Sequence, residues 1–109
     1  MQQPTLDTVF SALSDATRRA IIARLSGGEA TLSDLADPFD MSLTAVSKHV
    51  RVLSDAGIVE LEKRGRTRHC RLTAENMKQA ADWLSDYSAF WTAQFDSLGA
   101  YLQEEKEQE

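Results

Sequence analysis

Between Thr31 and Leu72 the chain changes its hydrophobic period, and the order of that change constrains the fold more than any other feature. Leu32, Leu35, Ala36 and Phe39 recur at helical spacing behind Thr31, which can cap a helix with Asp34 at its third position. Pro38 stops that helix or bends the chain out of it within a residue or two, and Asp40-Met41 completes a short turn. Ser42 then caps a longer helix. Leu43, Val46, Val50 and Leu53 fall on one side of it, while Thr44, Ala45, Ser47, Lys48 and Arg51 project elsewhere, until Gly57 ends it. From there the period falls to two. Ile58, Val59 and Leu61 are interleaved with Glu60 and Glu62, and Arg64-Gly65-Arg66 makes a tight basic turn. Arg68, Cys70 and Leu72 then alternate with Thr67, His69 and Arg71 on a return strand. Two alternating runs around a glycine turn predict a β-hairpin with one buried face.

The flanks read as helices. Thr5 caps a first one, with Asp7 in its first turn and Leu6, Val9, Phe10 and Leu13 on one stripe. Ser14 and Asp15 interrupt it and can cap a second helix, which buries Ile21, Ile22 and Leu25 and ends at Gly27-Gly28. Thr73 and Glu75 open a last helical region. It runs to about residue 103 and carries Met77, Ala81, Trp83, Leu84, Tyr87, Phe90, Trp91, Phe95, Leu98, Tyr101 and Leu102. It can be one helix or two, since Ser85-Asp86 could cap a restart. The acidic end, Gln103 to Glu109, is expected to fray.

Charge divides along the same boundaries. The chain carries a net charge of -5, which taken whole argues against a nucleic-acid partner. Within residues 41–72, however, seven bases (Lys48, Arg51, Lys63, Arg64, Arg66, Arg68, Arg71) face three acids (Asp55, Glu60, Glu62). The flanking segments are both acidic. Screening over about 8 Å at physiological salt means that a phosphate responds to this island more than to the distant tail.

A short helix, a turn, a helix apolar on one side and a basic hairpin make up the order of a winged helix-turn-helix. A major groove about 12 Å wide accepts one α-helix, and the residues near its N-terminus must be small and polar so that the backbone can approach the base edges. Ser42, Thr44, Ala45 and Ser47 suit that position, followed by Lys48 and His49, which can meet phosphate or base edge, and Arg51, a phosphate candidate. Arg64 and Arg66 sit at the hairpin tip, where a wing meets the sugar-phosphate backbone. The expected fold is mainly α with a small β-hairpin, in the order α-α-α-α-β-β-α. Residues 1–109 are expected to form a single domain: 31–56 the helix-turn-helix, 58–72 the wing and 74–103 a C-terminal helical region, to which the family resemblance below gives a dimerisation role.

These segments also resemble a known family. Phe10-Ser-Ala-Leu-Ser-Asp-Ala-Thr-Arg-Arg19 resembles the N-terminal signature of the ArsR/SmtB family of bacterial repressors, with Ala16 where the family commonly has proline. Thr31–Ala36 is similar to the first helix of its DNA-binding pair, Ser42–Gly57 to its recognition helix and Val59–Leu72 to its wing. The resemblance implies a homodimeric repressor that binds double-stranded DNA at a palindromic operator. It further implies that the first and last helices pair across a two-fold axis, through Leu6, Phe10, Trp83, Tyr87, Phe90, Trp91, Phe95 and Leu98. The aromatic C-terminus is similar to a metal-independent branch. An arsenic-type site needs a cysteine pair in the first helix of the motif, and Leu32–Asp37 has none; a zinc-type site needs histidine on the last helix, and residues 74–109 have none. No metal and no cofactor are therefore expected.

The other function classes find less in the sequence. There is no glycine-rich phosphate loop and no nucleophile paired with a base, since His69 and Cys70 fall on opposite faces of one strand, so no enzyme is expected. Cys70 alternates inward and reads as a small apolar residue; its basic neighbours could instead lower its pKa. A domain this small buries only about 65% of its unfolded surface. A helical region of ~30 residues would extend about 45 Å and must pack largely on something else. A partly open aromatic pocket there could also admit a small apolar effector. The alternative function is a winged-helix protein-interaction module that docks through this aromatic helix. No apolar run approaches the ~20 residues of a membrane span, and Met1–Thr5 lacks the basic and apolar blocks of a signal peptide, so a cytoplasmic location is expected.

Overall fold

A computed structural model describes residues 5–73 and 75–108. Met1–Pro4, on which the signal-peptide expectation rests, and Ala74 lie outside the described residues. Helix α1 (Leu6–Leu13) is capped by the Thr5 hydroxyl, which accepts from the Thr8 N–H. Helix α2 (Ala16–Leu25) is capped by the Asp15 carboxylate, which accepts from the Arg18 N–H. Then follow β1 (Ala30–Thr31), α3 (Leu32–Ala36), a single 3-10 turn (Asp37–Phe39), α4 (Leu43–Asp55), β2 (Val59–Arg64), β3 (Thr67–Leu72), α5 (Glu75–Ser85) and α6 (Ser88–Gln108).

Helix α3 begins in a full capping box. The Thr31 hydroxyl accepts from the Asp34 N–H, and the Asp34 carboxylate accepts from the Thr31 N–H. The helix gives way to the 3-10 turn at Asp37-Pro38, and Asp40 closes that turn at φ 50°, a left-handed conformation that aspartate tolerates. Ser42 caps α4 by accepting from the Ala45 N–H, and Gly57 leaves it at φ 71°. The hairpin turns on Gly65-Arg66, with Gly65 at φ 62°, as a two-residue connection requires of its first position.

The sheet has three antiparallel strands in the order β1-β3-β2, with Ala30 opposite Cys70 and Leu61 opposite Cys70 on the other side. The third strand, β1, was not expected. At two residues it is too short to display alternation. It exists because the backbone entering α3 passes beside β3.

Val9, Ala12, Ile21, Leu25, Leu35, Val46, Val50, Leu53, Ile58 and Cys70 meet in one buried core below α3, α4 and the sheet. Arg18 and Arg19 brace its outer wall by bonding the carbonyls that α1 leaves open at its end. Arg18 Nε donates to the Ala12 carbonyl at 2.7 Å, and Arg19 donates to that of Leu13 at 2.8 Å.

The C-terminal region is two helices. The break falls at Asp86-Tyr87, just after the Ser85-Asp86 restart that the sequence allows. Helix α6 runs on through the acidic end to Gln108, where fraying was expected, because no breaker intervenes. Helix α5 packs on α1 and buries Ala80, whereas the expected Ala81 is exposed. Among the described residues, helix α6 contributes no side chain to the core. It draws the molecule out to 66 × 34 × 20 Å.

Candidate nucleic-acid interface

Helix α4 fixes the centre of the site. With Val46, Val50 and Leu53 fully buried, a helix of 3.6 residues per turn must turn Thr44, Lys48 and Arg51 outward, and all three are exposed. Ser42 is exposed beside them; Ala45 and Ser47 are half-buried. Thr44, Ser47 and Lys48 line a concavity of about 450 Å³. Arg66, Thr67 and Arg68 of the β2–β3 hairpin line the same concavity, as do Thr31, Leu32 and Ser33. The structure thus brings Thr44, Ser47, Lys48 and Arg66 of the expected set to one place.

Two of the expected residues are engaged elsewhere. Arg64 donates to both carboxylate oxygens of Glu29, at 2.6 and 3.3 Å, and to Glu62 at 2.9 Å. Its guanidinium straps the wing to the loop before β1. The Arg64 hydrogen bond and charge hold the Glu62 carboxyl below its ordinary range, and Glu62 and Glu29 raise the Arg64 pKa in return. His69 Nδ1 adds to the strap at 3.2 Å from Glu29, and Arg71 pairs with Glu60. His49 is half-buried on the flank of α4. Its Nδ1 lies 3.4 Å from the Arg18 guanidinium and 3.8 Å from Asp15, so it joins the recognition helix to the start of α2. A base count could not distinguish Arg64 from Arg66, because the acids that occupy Arg64 come from a distant loop and a neighbouring strand residue.

Six lining residues lay outside the expected set: Thr31, Leu32, Ser33, Leu43, Thr67 and Arg68. Strict alternation places Arg68 on the inner face with Cys70, yet it is exposed. The reason is that β1 reaches only His69 and Cys70, so the outer end of β3 outruns the core and its inner face opens toward α4. Leu43, expected on the apolar side, is 51% exposed. It sits about 60° round the helix from Val46 and in the first turn, at the margin of the stripe where the helix enters the concavity.

On the far side of the molecule Leu6 and Phe10 are half-buried against the core. Phe10 meets Trp83 edge-on, with ring centroids 5.7 Å apart, and Trp83 lies 5.0 Å from Tyr87. Beyond that pair Tyr87, Phe90, Trp91, Phe95, Leu98, Tyr101 and Leu102 are all exposed. Cys70 is fully buried, and burial pushes its thiol up to about 11 despite the bases on either side in sequence. Among the described residues no three His, Cys, Asp or Glu side chains gather as metal ligands, and no helix is long and apolar enough to cross a membrane.

The profile described as a helix-turn-helix domain matches residues 13–62. A crystal structure of an ArsR family transcriptional regulator superposes with a TM-score of 0.73 at 42% identity, covering 80% of this chain and 90% of that one. The HTH-type transcriptional regulator Rv2034 of Mycobacterium tuberculosis is 36% identical over 79% of this chain and 78% of its own length. This chain belongs to the ArsR family of winged helix-turn-helix transcriptional regulators. Another relative, the transcriptional repressor SdpR of Bacillus subtilis, is 29% identical over 75% of this chain and 91% of its own.

Proposed function

We propose that the protein is a homodimeric repressor that occupies a palindromic operator, acting by binding and not by catalysis. Ser42, Thr44, Ala45, Ser47 and Lys48 enter the major groove at the N-terminal end of α4, where the partial positive charge of the helix end also favours phosphate. Arg51 lies further along and takes a backbone phosphate. Arg66 and Arg68, which share the concavity with Lys48, grip the adjoining strand. Arg64 and His49 act one step back: the first holds the wing at its angle, the second seats α4 on α2. The observation that carries the reading is the gathering of Lys48, Arg66 and Arg68 around one concavity in an otherwise acidic molecule.

Dimerisation is supported by the apolar side chains that the single chain leaves in water. Trp91, Phe95, Leu98 and Leu102 recur at i, i+4, i+7 and i+11, a stripe suited to a facing helix. Leu6, Phe10, Trp83, Tyr87 and Phe90 continue it onto the body. A two-fold pairing along α1, α5 and α6 presents two copies of α4 to half-sites one helical turn apart, ~34 Å. Repression then follows where the operator overlaps a promoter and polymerase is occluded.

Fluorescence polarisation with duplex DNA from beside the protein's own gene tests this. Binding is expected to weaken steeply with salt, Arg66→Ala to flatten the salt slope by about one counterion per half-site, and Lys48→Ala to weaken binding and relax the preference at the base it meets. Arg64→Ala is expected to weaken binding without the same fall in slope. Salt-independent or absent DNA binding overturns the proposal in favour of a protein-docking module.

A further inference from the structure

Among the described residues of the body, two large apolar side chains are exposed, Leu43 at 51% and Val52 at 39%; the other exposed ones belong to α5, α6 or the break between them. Pairing of terminal helices accounts for the second group. It leaves Leu43 unexplained, because Leu43 opens α4 and lines the concavity with Lys48 and Arg66 on another part of the molecule. A leucine held in water there forgoes the stabilisation that burial would bring. In a major groove the apolar group available to it is the C5-methyl of thymine, which no other base carries.

The polar side chains of α4 sharpen the point. The helix, Leu-Thr-Ala-Val-Ser-Lys-His-Val-Arg-Val-Leu-Ser-Asp, contains no asparagine, glutamine or glutamate, and its one aspartate is the last residue. It therefore lacks the amide that reads adenine by a paired hydrogen bond, and at its N-terminal end it lacks a carboxylate for cytosine. Lys48 can read guanine O6 and N7. The hydroxyls of Ser42, Thr44 and Ser47 can bond more than one kind of base edge, so the contact that singles out an A·T pair is the one with the thymine methyl. Thr44 carries one methyl group, but its hydroxyl competes for phosphate; Leu43 presents an isobutyl group and nothing polar.

We infer that Leu43 is a specificity-determining residue that reads the methyl group of a thymine in each operator half-site. The inference rests on the operator-binding reading above and assigns part of its sequence preference. The experiment begins by selecting duplexes from a randomised library with the full-length protein. Each thymine of the selected half-site is then replaced by deoxyuridine, which removes only the methyl, and binding is measured by polarisation at fixed salt. At one thymine the wild-type protein is expected to lose about fourfold in affinity per half-site, the factor carried by one methyl-sized group withdrawn from water. Leu43→Ala, an exposed substitution to a strong helix former, should bind the thymine and uracil duplexes equally, while Thr44→Ser should keep the wild-type discrimination. Three results overturn the inference while leaving operator binding intact: a selected operator with no preferred thymine, a wild-type protein indifferent to every uracil, or a Leu43→Ala protein that keeps the loss. Failure to enrich any duplex overturns operator binding itself, and the inference with it.

Discussion

The body and the C-terminal helices are both amphipathic in sequence, yet they treat their apolar residues in opposite ways. Residues 5–73 close Ile21, Leu35, Leu53 and Ile58 completely from solvent, and α1 to α4 and all three strands share in that core. Among the side chains described in residues 75–105, one is buried, Ala80, while Trp83, Tyr87, Phe90, Trp91, Phe95 and Leu98 are exposed. The difference is one of geometry. The body can wrap helices round a sheet, whereas α6 points away from it along a 66 Å axis and meets no other element broadly. An apolar stripe on a projecting helix is half of an interface, and patches of this kind are uncommon on proteins that work alone. In the proposed dimer the body reads DNA and the arm sets how far apart two readers stand.

Removing one side chain from each region should separate the two kinds of burial. Phe95→Ala is expected to have the larger effect. Full burial of such a ring is worth about 1.5–3 kcal/mol, and a two-fold pair loses it twice, so the dissociation constant should rise roughly a hundredfold or more. Sedimentation would read that shift, with the helical content of the body unchanged. An unaltered dimer would remove α6 from the interface. Leu35→Ala should do the reverse. It empties part of a fully closed core and costs about 2–5 kcal/mol in a denaturant titration, while the folded fraction still dimerises. If both variants lose stability and association together, body and arm fold as one unit and the contrast fails.

Much of this division was legible in the sequence, and the exceptions have physical causes. The capping box at Thr31, the break at Pro38, the glycine exits and the alternation of Val59, Leu61, Cys70 and Leu72 are local signals, and each element stands within a residue or two of its expected place. The long-range pairings were invisible. Nothing near Arg64 announces Glu29, 35 residues away, and nothing near His49 announces Arg18. Alternation misled at Arg68 because it describes a strand lying on a core, and the end of β3 extends past the core. The strand β1 lies below the length at which any period can be read.

A smaller effect probes the seam where body and recognition pair meet. Thr31 belongs to both β1 and the capping box of α3, so Thr31→Ala should cost about 1 kcal/mol, measured as a lower denaturation midpoint. The bond from the Thr31 N–H holds the Asp34 carboxyl below its ordinary value of 3.8, and the Arg18 N–H does the same for Asp15. Both contribute stability that is complete above pH 3.8 and lost as pH falls through the depressed values. Thr31→Ala keeps the N–H at position 31 and removes only the hydroxyl, the second cause of the Asp34 shift, so its loss of stability on acidification should be only slightly smaller than the wild type's.

The smallest effect lies at the other end of the pH scale and tests whether the body interior is as closed as the arm is open. Burial raises the Cys70 thiol from an ordinary value of 9.0 to about 11. The folded protein then holds the proton across a window in which the unfolded chain releases it. Raising the pH from 9 to 11 favours the unfolded state, by on the order of 1 kcal/mol at pH 10. Comparison with Cys70→Ala isolates this contribution from tyrosine and lysine titration, since the variant should show a shallower alkaline decline. Below pH 9 the native thiol should resist alkylation until denaturant opens the sheet. Rapid alkylation at pH 8 would mean that the strands part in the native state. The strap from Arg64 to Glu29 would then be a weaker hold on the wing than its geometry indicates, and the fixed angle between Arg66 and Lys48, on which the grip on DNA depends, would have to come from the duplex itself.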